Sequence, residues 1–378
     1  MPDKKRNIET IAIHSGMHGL NHGQTIVPPM EPGTIFEHNE QGHKEGDYIY
    51  SRYGNPNRDQ LETVLAELEG GEVCAAFSSG VAAMATIYQC LEKDDHILIP
   101  EDVYHGSRRQ LQLYGDGWGL EFDEVDMTDL NAIEKSIKSN TRLLLIESPS
   151  NPQLLITDIK AVTALAHQHS VMVCVDNTWP TPVNLNPIAY GADLVLHSTT
   201  KYLGGHSDIL GGAVISRKND AFFEKIRAAQ VSLGAVPSPR DCWLLSRSIR
   251  SLPYRMRGHN DNGMKVARFL YSHPNVEAVY YPGLEDHPGH ETAKEQMNAF
   301  GGMISFLVKG DDQDTLRVVS GTSLVRRATS LGGVESSWEH RYSSEGENSP
   351  TPQNLVRLSV GLEHPDDLIA DINQALNI

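Results

Sequence analysis

Lys201 closes the run Asp193-Leu-Val-Leu-His197-Ser198-Thr199-Thr200-Lys201 and opens onto Tyr202-Leu203-Gly204-Gly205. An amine at the end of a strand, among hydroxyls and beside glycines that admit a ligand, can serve as a Schiff-base nucleophile. A lone lysine in such a place is more often a surface residue. A second segment shifts that balance. Val171-Met-Val-Cys-Val175 is apolar throughout, as a buried parallel strand is, and it ends in Asp176. A carboxylate at the end of a buried strand needs a partner. Asp176 alone could cap a helix or shape a turn.

As a pair, the two residues suit pyridoxal phosphate. That cofactor needs a lysine for its aldehyde and an acidic group for its pyridine nitrogen. Other segments are consistent with it. Ser78-Ser79-Gly80-Val81 stands between a strand and a helix, where backbone amides can hold a phosphate. Tight strand–helix packing explains the same glycine equally well. Ser198 and Thr200 add hydroxyls beside Lys201, although turns use these residues too. Tyr104 could stack on a flat ring or simply pack. Tyr50 and Arg52 lie in an extended loop, and Arg52 could give a phosphate planar hydrogen bonds. Arg357 alternates with Leu355, Leu358 and Val360 in a strand pattern, so it needs an anion: an α-carboxylate or a structural partner.

The elements that must position these groups alternate. Arg58 to Leu68 carries apolar residues at helical spacing and stops at Gly70-Gly71. Ala75–Phe77, His96–Pro100, Leu143–Glu147, Val171–Val175 and Leu194–His197 read as strands, and Ala82–Leu91 as a helix. Strand–helix alternation predicts an α/β fold with a mostly parallel sheet. Beyond Leu245 the pattern changes to shorter mixed segments: Met264–Tyr271, Asn275–Tyr280, Met303–Val308, Leu355–Val360 and Pro365–Leu376. The expected division is an arm over 1–45 reaching a neighbouring subunit, a large domain over 46–245 and a small α+β domain over 246–378. The arm shows little periodicity. Its His14, His18 and His22 are spaced by four, but intervening glycines argue against a helical metal face.

Composition narrows the function classes. With 378 residues the chain can bury a large core, and the net charge of −17 disfavours nucleic acid and anionic membranes as partners. No apolar run approaches the length of a membrane span. The charged N-terminal residues are followed by no apolar stretch, and the four cysteines show no C-x-x-C spacing. A cytoplasmic protein with reduced cysteines is expected.

Several motifs in order carry a resemblance. They are Tyr50-Ser-Arg52 with Asn55-Pro56, Ser79-Gly80, Glu147-Ser-Pro-Ser-Asn151-Pro152, Asp176-Asn-Thr178, His197-Ser-Thr-Thr-Lys201-Tyr202, Ser330-Leu-Gly-Gly-Val-Glu335-Ser336 and Arg357-Leu-Ser-Val-Gly-Leu-Glu363. Through them the chain resembles the pyridoxal-phosphate trans-sulfuration enzymes, the cystathionine γ-synthase and γ-lyase group. The resemblance implies the aspartate-aminotransferase-type fold and a homotetramer of two dimers with shared active sites. It implies that Lys201 bonds the cofactor aldehyde and shuttles protons, that Asp176 meets the ring nitrogen, and that Tyr104 stacks on the ring. Gly80, Val81, Thr178, Ser198 and Thr200 would hold the cofactor, joined by Tyr50 and Arg52 of a neighbouring subunit. Arg357, Asn151 and the Ser336 backbone would grip the substrate carboxylate, with Glu335 meeting its far end.

The chain also departs from the group's pattern. Val81 stands where Met is frequent, Asn57 where Thr is usual, and Ile49 where an acidic residue often meets a distal ammonium. Tyr104-His105-Gly-Ser replaces the cysteine-bearing segment of methionine γ-lyases. The implied chemistry is γ-replacement or γ-elimination on a sulfur or activated-homoserine amino acid. Alternatives are a cystathionine β-lyase, or a lyase or sulfhydrylase acting on another γ-substituted amino acid. A dinucleotide-dependent oxidoreductase would need a G-x-G-x-x-G after a first strand, and none is present. A silent scaffold is hard to reconcile with the intact set Lys201, Asp176, Tyr104 and Arg357.

Overall fold

The computed structural model describes residues 6–17, 26–43, 46–346 and 351–378. Two sheets organise the chain. The larger contains β1 (Val73–Phe77), β2 (His96–Pro100), β3 (Glu121–Val125), β4 (Thr141–Glu147), β5 (Met172–Asp176), β6 (Leu194–His197) and β7 (Gly212–Ser216), in the order β1-β7-β6-β5-β4-β2-β3. From β3 to β6 every pairing is parallel, whereas β7 runs antiparallel to both β6 and β1. The sheet is therefore mostly parallel, as the alternation predicts. The smaller sheet contains β8 (Val276–Tyr280), β9 (Met303–Val308), β10 (Arg326–Arg327), β11 (Ser337–His340) and β12 (Leu355–Ser359), in the order β10-β11-β12-β9-β8.

Local chemistry explains the elements that matter for the site. Helix α1 (Ile8–His14) packs Ile11 and Ala12 inward. Helix α2 (Pro56–Glu69) starts at Asn55, whose side chain accepts from the Asn57 amide, and has proline in its first turn. It ends at Gly70, whose φ of 73° is the left-handed cap that glycine adopts without steric cost. Helix α3 (Gly80–Gln89) is capped by Ser79, which accepts from the Ala82 amide at 3.1 Å. Helix α4 (His105–Trp118) follows Tyr104. Val173, Cys174 and Val175 are fully buried, in keeping with a central parallel strand covered on both faces.

Three features differ from the sequence-based expectations. The arm contains α1, whose single buried turn is too short for a periodic pattern to reveal. Strand β3 is Glu-Phe-Asp-Glu-Val at the sheet edge, where charge replaces the apolar signal. Strand β7 follows a glycine-rich turn that hides it among loop residues. His14 ends α1, while His18 and His22 lie outside the described residues. The four cysteines are free and buried. No helix among the described residues is long and apolar enough to cross a membrane.

Candidate active site

The parallel strands β4, β5 and β6 end on one rim, and each ends in a polar side chain: Glu147, Asp176 and His197. Above that rim lies a cavity of about 500 Å³. Ligands of α/β sheets bind at such carboxyl ends. Gly80, Val81, Tyr104, Asp176, Thr178, Ser198, Thr200 and Lys201 all line it, and so do Asn151 and Arg357. Residues separated by nearly the whole chain thus face one space.

Lys201 donates from Nζ to Ser330 Oγ at 2.6 Å. Burial, assisted by the charge of Arg357, brings its amine down to about 8. Ser330 holds a left-handed φ of 79°, uncommon for a residue with a side chain. Its role was not separated out in the motif reading, because no spacing rule marks a serine that folds back onto a lysine. Asp176 accepts from the Thr178 amide at 3.0 Å. Burial pushes its carboxyl up, opposed by the bonds from Thr178 and the charge of His197. Glu147 sits beside Asp176 in register and accepts from the Tyr104 amide at 2.9 Å. Burial and the neighbouring Asp176 charge push its carboxyl well up. That bond also seats Tyr104 at the cavity wall, where it is 37% exposed.

The start of α3 meets the end of β6 closely. A Cβ on Gly80 would come 2.8 Å from Ser198 Cβ. The Ser198 amide donates to Thr178 Oγ1 at 2.8 Å, and Thr200 Oγ1 accepts from the Gly211 amide at 3.1 Å. A helix start, the hydroxyls beside it and the close approach that Gly80 permits can serve as an anion cradle. The cavity pairs that cradle with a buried carboxylate and an amine of lowered basicity. These are the fittings pyridoxal phosphate requires.

Across the cavity, Arg357 donates to Asn151 Oδ1 and to Glu339 Oε2, each at 2.9 Å. Arg341 donates to the same Glu339 oxygen at 2.9 Å. One carboxylate thus serves two guanidinium groups in a buried cluster, leaving the wall cationic. Glu339 and Arg341 lay outside the motifs used in the sequence reading. They belong to β11 and its end, which only pairing with β12 brings to Arg357.

Other expected residues are placed elsewhere. Glu335 is exposed and does not line the cavity, whereas Thr329 and Ser330 do. Ser336 is fully buried, its amide donating to Glu363 Oε1 at 2.7 Å and its hydroxyl to Oε2 at 2.8 Å. The Ser336 amide is therefore engaged by Glu363. Tyr50 and Arg52 lie outside it, with Arg52 donating to the Val231 carbonyl at 3.1 Å and stacked over Tyr53. Ile49 is also outside it.

A mostly parallel sheet, a lysine–aspartate pair at its rim and an anion cradle define a pyridoxal-phosphate enzyme of the type I fold. Comparison with known proteins is specific about the group. The profile described as "Cys/Met metabolism PLP-dependent enzyme" matches residues 9–377. A cystathionine γ-synthase of Mycobacterium leprae is 42% identical over 376 residues, covering 98% of this chain and 97% of that protein. A cystathionine β-lyase of Lactococcus lactis subsp. cremoris is 41% identical over 378 residues, covering 98% and 99%. The crystal structure of a cystathionine γ-lyase from Lactobacillus plantarum, complexed with L-serine, superposes with a TM-score of 0.92 at 37% identity, covering 98% and 99%. The chain belongs to the Cys/Met metabolism family of pyridoxal-phosphate-dependent enzymes.

Proposed function

We propose that this enzyme forms or cleaves the Cγ–S bond of cystathionine, as a γ-synthase or γ-lyase. The observation that carries the reading is the convergence of Lys201, Asp176, Arg357 and the Gly80 cradle on one cavity. Bound pyridoxal phosphate supplies an electron sink for the carbon next to the amino group. Arg357, held by Asn151 and Glu339, receives the substrate carboxylate and fixes Cα near Lys201. Lys201 Nζ would take the proton at Cα, pass it on to the bound cofactor and, neutral again, take the proton at Cβ, whose loss expels the γ-substituent. With its amine near 8, Lys201 can both accept and return a proton at neutral pH. Ser330 Oγ, 2.6 Å away, steers that amine. Asp176 holds the positive form of the ring nitrogen, and Tyr104 covers the ring.

The relative named β-lyase favours a second reading, cleavage at Cβ. Product identity decides between them. The pure protein is incubated with O-succinyl- or O-acetylhomoserine plus cysteine, and separately with cystathionine. Cystathionine from the first, or 2-oxobutanoate from the second, supports the γ reading; pyruvate from cystathionine establishes the β-lyase. In either case Lys201→Ala is expected to abolish turnover, and residual turnover by the pure variant would remove Lys201 from its role.

The assembly belongs to the same proposal. We infer a cytoplasmic homotetramer built from two dimers, with Tyr50 and Arg52 completing the cofactor cradle of a neighbouring subunit. The exposure of Tyr50, at 38%, fits a residue that reaches outward. We keep the arm over 1–45, the large domain over 46–245 and the small domain over 246–378, with helix Pro239–Ile249 running across the last boundary.

A further inference from the structure

Beneath the cofactor seat lies a buried carboxylate that the proposed chemistry does not use. Glu69 is the last residue of α2, and both it and His197 have side chains only 1% exposed. Glu69 Oε1 accepts from His197 Nε2 at 2.5 Å and from Asn177 Nδ2 at 2.8 Å. Asn177 Nδ2 also donates to the Leu185 carbonyl at 3.0 Å, and its amide donates to the Leu196 carbonyl at 3.0 Å. Asn177 directly follows Asp176, and His197 directly precedes Ser198. A single oxygen from α2 therefore ties together the ends of β5 and β6, the strands that deliver Asp176 and Lys201.

The charge in that knot matters as well as its geometry. A carboxylate removed from water is costly unless a cation meets it. Among the described residues the imidazole hydrogen-bonded to Glu69 is that of His197. His197 faces two acidic groups: Glu69 from α2 and, through space, Asp176 from β5. Burial pushes the Asp176 carboxyl up, and a charge at His197 acts in the opposite direction.

We propose that Glu69 is a positioning residue for the ring-nitrogen side of the cofactor seat, pinning both strand ends and presenting its carboxylate to His197, whose side chain in turn bears on Asp176. This rests on the reading that Asp176 partners the ring nitrogen. The substitution Glu69→Gln keeps an acceptor for Asn177 and His197 and removes only the charge. The readout is the ¹⁵N chemical shift of ring-labelled pyridoxal phosphate in the holoenzyme, together with the cofactor dissociation constant. In the native holoenzyme the nitrogen is expected to be protonated. In Glu69→Gln it shifts toward the unprotonated form, and the dissociation constant rises. His197→Gln shifts the signal in the same direction, and the double variant goes no further than either single one, because the two act as one unit.

A structural role alone would lower Tm and leave the ring signal native, and that result overturns the proposal. If Glu69→Gln yields no holoenzyme, the double variant Glu69→Gln/His197→Gln, which replaces both members of the pair, decides by the same signal. Asp176→Asn is measured first. A native ring signal there defeats the reading of Asp176, and the Glu69 inference falls with it. A shifted signal in Asp176→Asn with a native one in Glu69→Gln defeats only the inference.

Discussion

At the residue scale the decisive quantity is the basicity of one amine. Burial and Arg357 hold Lys201 near 8, so the neutral, nucleophilic form is abundant where an ordinary lysine would be charged. The rate at which cofactor-free protein captures pyridoxal phosphate is therefore expected to rise with pH and level off above about 8. Stopped-flow absorbance would show it, and a rate still climbing beyond roughly pH 10 would return Lys201 to ordinary behaviour. The same shift has a stability consequence. Between about 8 and 10.5 the unfolded chain keeps a proton that the folded chain has released. Stability of the cofactor-free protein thus rises with pH across that window, by at most about 3 kcal/mol. Denaturant midpoints compared with Lys201→Met would reveal the difference.

The sequence carried much of this site. Lys201, Asp176 and Arg357 announce themselves because a polar group inside an apolar strand needs a reason. Glu339 and Arg341 did not, because their meaning arises only where β11 pairs with β12. The placement of Glu335 was hidden for a related reason. It lies in a glycine-containing turn, and which side chains of such a turn face inward depends on backbone angles such as the φ of 79° at Ser330 and 77° at Gly332. Composition and spacing do not encode those angles.

At the scale of elements, the seat for the phosphate is a junction between the start of α3 and the end of β6. Gly80 permits it. An alanine there would place its Cβ 2.8 Å from Ser198 Cβ and 3.0 Å from Ser198 Cα. Helix and strand end would have to separate, at the 1–3 kcal/mol typical of overpacking. Gly80→Ala is accordingly expected to weaken cofactor retention roughly ten- to a hundredfold while leaving the far-ultraviolet circular dichroism unchanged. Equilibrium dialysis of the cofactor checks it, and native retention would show that the junction can yield. The helices and central strands were legible because long apolar periodicities dominate them. The edge strand β3 and the antiparallel β7 were not, since one is charged and the other short and glycine-led.

At the scale of the molecule, a cradle completed by Tyr50 and Arg52 from a second copy predicts complementation. Lys201→Ala and Arg52→Ala are each expected to be inactive alone. When the two variants are mixed and allowed to exchange subunits, some sites acquire a native Lys201 from one chain and a native Arg52 from the other. Activity should reappear in the mixture and follow the rate of exchange. A mixture that stays silent although native mass spectrometry shows hybrids would place each site within one chain.

The position of β1 in the large sheet bears on how the chain is made. Val73–Phe77 emerges early in synthesis, yet its sheet partner is Gly212–Ser216, across which it pairs residue by residue from Val73 with Ser216 to Phe77 with Gly212. Until the ribosome has delivered β7, an apolar strand and the inner face of α2 wait without their cover, and such waiting edges invite association with other nascent chains. Closing so distant a pairing is slow. Translation past Ser216 is thus a threshold for this protein: chains arrested before it hold the lysine and the aspartate but lack the strand that joins β1 to their sheet.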